Sequence, residues 1–161
     1  SIEKWMQLAE ATGVPRELVI SERMVLPGVR FAVDAYLDLV SKATFLEAVA
    51  SSLTEMFSTR LITVRVKHLN ELYPWLAHGL TYFQARLTQA PEDASFALAY
   101  ICKHATTRAE QELCIRALET KCSILWAQLD AIYYAYVSPG LPPPGPYQMS
   151  FTERSRDELH P

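Results

Sequence analysis

The stretch 107-TRAEQELCIRALETKCSILWAQLDAIYYAY-136 decides the fold class. At about 100° per residue, Cys114, Ala117, Leu118, Ile124, Leu125 and Ile132 fall within about 60° of Lys121, and Glu110 and Gln128 share that arc. Glu112, Glu119, Ser123 and Asp130 occupy the opposite side. The pattern predicts one long amphipathic helix whose apolar stripe carries a lysine at its middle. Two readings of Lys121 stay open. Its stem lies in a helix–helix groove with the ammonium reaching water, or it faces a pocket with Gln128 and meets an anion there, since lysine is almost never fully buried unpaired. Thr107-Arg108-Ala109-Glu110 has the form of a capping box, which accounts for Glu110 on the apolar side.

Working back from this helix, Pro91-Glu92-Asp93 starts another, acidic in its first turn as the macrodipole favours, with Phe96, Leu98, Ala99 and Ile101. A helix from about His78 to Leu87 buries Leu80, Phe83 and Leu87 and sets Tyr82 and Arg86 one turn apart beside the stripe. His68 to Trp75 reads as a polar-aromatic connection, because Pro74 disfavours continued helix. Thr44-Phe45-Leu46-Glu47 is a second capping box. The helix it opens lines up Leu46, Val49, Ala50, Leu53, Met56 and Phe57. Glu55 lies off that stripe, on the side of Ala48, Ser51 and Ile62, with Arg65 about 80° away. Small neighbours let another element or a ligand approach that carboxylate; a solvated glutamate is the alternative. Pro27 starts a helix over 27–41 with Val29, Val33, Tyr36, Leu37 and Val40 on one face and Arg30 and Asp34 as an i,i+4 pair. Residues 1–12 form an amphipathic helix closed by Gly13, and Pro15 opens a short further turn. With no strand pair and no internal repeat, the chain reads as all-α, with five to seven helices.

Of the 161 residues, half are hydrophobic and a fifth charged, which is globular composition. A net charge of −3, from 15 basic and 18 acidic side chains, gives no global attraction to nucleic acid or anionic lipid. Any anion site must be local. Cys102, Cys114 and Cys122 form no CxxC and read as small core residues in a reducing compartment. With no basic-then-apolar leader and no run near the ~18 apolar residues of a membrane span, a soluble, cytoplasmic protein is expected, with neither membrane nor nucleic acid as partner. The run 138-SPGLPPPGP-146 holds five of the ten prolines, so the expected division is a helical domain over 1–137 and a proline-rich linker and polar tail over 138–161.

Several chemistries lack their motifs. Glu-x-x-His pairs facing a bundle interior are absent, and Asp157 and His160 have that spacing only in the tail. There is no HExxH, phosphate loop or GxSxG. No metal site is expected. None of His68, His78, His104 and His160 sits on a strongly apolar helix face, as a haem ligand would. A cysteine nucleophile needs a basic partner and partial exposure, and Cys114 beside Lys121 is the candidate. What remains is Glu55, Arg65, Tyr82, Arg86 and Lys121 on apolar helices. Such a set suits a polyanionic organic molecule, because guanidinium forks grip carboxylates bidentately and a lysine adds a point charge.

LPGVRFAVDAYLDL at 26–39, SSLTEMF at 51–57, LYPWL at 72–76, TYFQARL at 81–87 and LETKCSILWAQLDAIYYAYV at 118–137 resemble, in the same order, blocks of the pyrroloquinoline-quinone (PQQ) synthase family of the haem-oxygenase-like, TenA-like superfamily. The resemblance covers about residues 1–137. It implies an all-α, haem-oxygenase-like helical bundle that binds no haem, here partial because the family's amino-terminal helices have no counterpart. It further implies a homodimeric oxidase that requires no cofactor. Such enzymes close a ring and oxidise a carboxylated quinoline precursor with molecular oxygen, giving PQQ and hydrogen peroxide. By the same resemblance Tyr82 and Arg86 belong to the catalytic oxygen core. Glu55, Arg65 and Lys121 fall on substrate-binding positions, and Thr54 lines the pocket. One departure stands out: Ile62 replaces a family histidine one turn before Arg65, removing a general acid/base. Three expectations follow: a PQQ-forming oxidase, a relative that binds PQQ or a related polyanion without turnover, or a helical interaction module whose tail docks as polyproline II.

Overall fold

The computed structural model describes residues 2–139. Among these residues there are seven α-helices and no strand: α1 Ile2–Ala11, α2 Arg16–Ser21, α3 Pro27–Lys42, α4 Phe45–Ser51, α5 Glu55–Leu72, α6 Thr81–His104 and α7 Arg108–Tyr136. Short 3-10 turns at Ser52–Thr54 and Pro74–Gly79 join α4 to α5 and precede α6. The all-α expectation holds, and α7 is the long helix read from its periodicity. Expectations for the proline-rich segment fall almost wholly on residues 140–161, outside the described ones.

Local chemistry starts the two helices that carry the packing. In each, a threonine hydroxyl accepts from the N3 backbone N–H while the N3 glutamate accepts from the threonine N–H: Thr44 with Glu47 for α4, Thr107 with Glu110 for α7. Bonds from Thr44, its hydroxyl foremost, hold the Glu47 carboxyl below its ordinary range. The Thr107 backbone N–H, then its hydroxyl, does the same for Glu110. A depressed folded-state value means stabilisation that is complete above the ordinary pKa and is lost as the pH falls through the folded value.

Two small clusters form the core. Ala50, Ala105, Cys114 and Ala117 join α4, the end of α6 and α7, with Leu46 and Ile101 against them. Ile62, Leu80 and Phe83 join α5 to α6, with Leu8, Val66 and Leu69 alongside. The first cluster is built from small side chains, so its helices approach closely. At Gly28 in α3 an added Cβ would lie 2.8 Å from the Ala131 Cβ of α7, and α7 packs along both α3 and α4.

Several sequence expectations are corrected. The helix from Thr44 does not run on through Phe57. Ser51 and Ser52 donate their hydroxyls to the carbonyls of Ala48 and Val49 at 2.7 Å, competing with the helical ladder, and the chain tightens into the 3-10 turn. This resets the helical phase, so Met56 and Phe57 leave the stripe and are exposed. The His68–Trp75 connection is shorter than read, because α5 continues to Leu72. Residues 78–87 and 91 onward are not two helices. They are one 24-residue helix, α6, with Pro91 inside it. The proline removes only the donor for the Leu87 carbonyl, and the Arg86–Asp93 ion pair spans that turn. Arg30 pairs with Glu22 rather than Asp34. Of the three free cysteines, only Cys114 is buried; Cys102 and Cys122 are exposed.

Helix propensity alone favours alanine over glycine, yet Gly28→Ala is expected to lower stability by about 1–3 kcal/mol through the clash with Ala131. Ala131→Gly in the same chain should relieve the clash and recover part of the loss, less the roughly 0.5–1 kcal/mol that a glycine costs inside α7. Urea unfolding measures both, and a stabilised single variant would contradict the close α3–α7 approach.

Candidate functional site

Between the two core clusters, where the α5–α6 pair faces α7, lies a cavity of about 480 Å³. Its position follows from the break after α4. Thr54 ends the 3-10 turn and Glu55 begins α5, so both stand where α5 leaves the core. Arg65 follows on α5, Tyr82 and Arg86 come from α6, and Lys121 from the middle of α7. All six of these sequence-predicted residues line the cavity, together with Gln128.

Arg86 is the most constrained of them. Its Nη2 donates to Glu55 Oε2 at 2.6 Å and its Nη1 to Asp93 Oδ2 at 2.9 Å. Its side chain is 16% exposed, against 35% for Glu55 and 58% for Asp93. Burial works against its charge, but the bonds to Asp93 and Glu55 outweigh this and hold its pKa above the ordinary value. Arg86 is therefore a fixed cation whose charge is already offset. Two of its five N–H groups are used in these bonds, leaving others for a ligand.

Lys121 differs. It is half-buried, and its Nζ lies over the Tyr36 ring of α3, 2.9 Å from the centroid. Burial lowers its pKa and the Glu55 charge partly restores it. Neither Lys121 nor Arg65 forms an ion pair among the described residues. Arg65 is exposed and lies 5.6 Å from the Phe83 ring centroid. The cavity thus holds one ion-paired cation and two that form no ion pair among the described residues. Lys121 thus lines the cavity, its ammonium over an aromatic face.

The opposite wall is aromatic. Trp5 of α1 lies 4.4 Å from Tyr82 and 5.7 Å from Phe83, centroid to centroid. Trp5, Ser58 and Tyr36 were not singled out as site residues in the sequence. Trp5 and Tyr36 reach their partners across long sequence separations and leave no local pattern. Ile62, where the resemblance puts a histidine, is buried against Leu80 and Phe83. Cys114 is buried in the other cluster, and burial raises its thiol pKa, which opposes a nucleophilic role. No group of three or more His, Cys, Asp or Glu among the described residues is placed to hold a metal ion. No helix among them is long and apolar enough to cross a membrane.

An all-helical domain with a cation-bearing, aromatic-walled cavity among its helices is the class that fold and site define. The chain belongs to the TENA/THI-4/PQQC family, whose model matches residues 1–131. It is 54% identical over 147 residues to the pyrroloquinoline-quinone synthase of Acidiphilium cryptum, covering 91% of this chain and 60% of that protein. It is 52% identical over 141 residues to the synthase of the same name from Xanthomonas campestris pv. campestris, covering 87% and 56%. A bifunctional coenzyme PQQ synthesis protein C/D of Methylorubrum extorquens is 51% identical over 148 residues, covering 91% and 40%. The chain therefore spans 60% or less of each of these relatives.

The Arg86 clamp makes a stability prediction. Glu55→Gln should cost about 1–3 kcal/mol, because the guanidinium loses a half-buried charged partner. Asp93→Asn, at the exposed end, should cost at most about 1 kcal/mol. Equal costs in chemical denaturation would contradict the asymmetry of the clamp.

Proposed function

We propose that this chain carries the substrate cavity of a cofactorless oxidase of PQQ biosynthesis, one that closes a ring and oxidises a carboxylated quinoline precursor with molecular oxygen. The observation carrying this reading is the convergence of Thr54, Glu55, Arg65, Tyr82, Arg86 and Lys121 on one cavity in a chain half identical to PQQ synthases. Arg65 and Lys121, lacking protein counterions, take the substrate carboxylates. Thr54 and Glu55 shape the wall, and Glu55 holds Arg86 in place. Tyr82 and Arg86 are the catalytic pair. When the electron-rich substrate gives two electrons and two protons to dioxygen, hydrogen peroxide leaves. The transient oxygen anions are stabilised by the spare guanidinium N–H groups and the phenol, donors already oriented before the reaction. PQQ is then the product, and no bound cofactor is needed.

Free cysteines support a reducing, cytoplasmic setting. Apolar surface left exposed on α5 and the last turns of α7, with Phe57 and Leu72 among it, supports a homodimer. A second reading is favoured by one observation: Ile62 sits in an apolar cluster where a general acid/base would be required. On that reading the chain binds PQQ or a related polyanion without turning it over.

Folded protein mixed with precursor and oxygen should consume oxygen and release peroxide together with the quinone chromophore. No product and no peroxide, with PQQ still bound, would leave only the second reading.

Lys121 supplies a pH prediction. Its pKa is depressed in the free fold and rises beside a ligand carboxylate, so binding takes up a proton between those two values and affinity falls as the pH rises through them. The depressed folded-state value also means that Lys121 costs stability at neutral pH, and that the cost lessens as the pH rises past it. Lys121→Met should therefore keep or raise the melting temperature while abolishing PQQ binding and its pH dependence. Unchanged affinity would remove Lys121 from the site.

A further inference from the structure

Gln128 is left without a role by the assignments above. It lies on α7 two turns beyond Lys121 and lines the same cavity, with Leu125 between them. It is half-buried. Its side-chain amide makes no hydrogen bond among the described residues. A half-buried amide of this kind satisfies its N–H and C=O with water or with a ligand.

Residues seven apart on a helix lie on nearly one line, separated along the axis by about 10 Å. The cavity face of α7 is therefore a strip with a cation at one end, a leucine in the middle and a neutral amide at the other. We propose that Gln128 is the far-end subsite for the same ligand, fixing its orientation and length. The strip suits a flat, carboxylated aromatic molecule whose anionic edge meets Lys121. Its ring plane crosses Leu125, and an uncharged carbonyl, ring N–H or hydroxyl on its far side meets the amide. An amide both donates and accepts, so it can serve a quinone oxygen as well as the reduced hydroxyl that precedes it. This inference rests on the cavity being the PQQ site.

The test is anaerobic titration of the whole chain with PQQ. Gln128→Leu keeps the volume and removes both hydrogen-bonding functions; it should weaken binding about five- to tenfold without lowering the melting temperature. Gln128→Glu should bind more weakly than wild type at pH 8, because an ionised carboxylate repels the ligand, and the deficit should shrink towards pH 4 as the carboxyl protonates near the ordinary glutamate value and comes to resemble the amide. That pH profile decides the matter if the leucine variant is unstable. Wild-type affinity in Gln128→Leu, or a flat profile in Gln128→Glu, would overturn the subsite while the loss of binding in Lys121→Met leaves the cavity reading intact. Failure of the wild-type chain to bind PQQ would overturn both.

Discussion

The guanidinium of Arg86, gripped by Glu55 and Asp93, is the interaction on which the cavity depends. It ties the first residue of α5 to the second turn of α6 and, through Asp93, spans the turn of α6 that a proline weakens. Two serine hydroxyls bonded back to carbonyls end α4 early, and α5 starts afresh at Glu55, whose carboxylate accepts from Arg86. Backbone tightening thus decides where a carboxylate stands, and the carboxylate decides where a cation is held.

The same clamp divides labour among the cations. Arg86 arrives at the cavity already neutralised and rigid, suited to offering oriented donors. Lys121 and Arg65 arrive without carboxylate partners, one resting on the Tyr36 ring and the other near the Phe83 ring. Aromatic faces attract a cation while leaving it available to an incoming carboxylate. The cavity lining, with two such cations beside an aromatic wall, has the chemistry that an anionic aromatic ligand would meet.

Much of the fold was legible because its signals are local. Both capping boxes lie within four residues, and the stripe of α7 repeats over many turns. What escaped was set by distant partners or by competition between equally local signals. Pro91 reads as a helix start, yet α6 absorbs it and the Arg86–Asp93 pair bridges the turn. The serines at 51 and 52 read as ordinary helix residues, yet their hydroxyls end the ladder. Cys102 and Cys122 look like core residues by type and are exposed by phase. At the site, the polar residues were legible from the family blocks, while Trp5 and Tyr36 were not, because each meets its partner on a helix far away in sequence.

On the proposed function, one cavity, bounded by Arg86 and Glu55 at one side and Lys121 on α7, takes a carboxylated quinone. A crystal structure of the chain grown with PQQ without oxygen tests it most directly. The ligand is expected inside this cavity with carboxylates within hydrogen-bond distance of Lys121 and Arg65 and the Arg86–Glu55 bond intact. An empty cavity at saturating PQQ, or PQQ bound elsewhere on the surface, would contradict it.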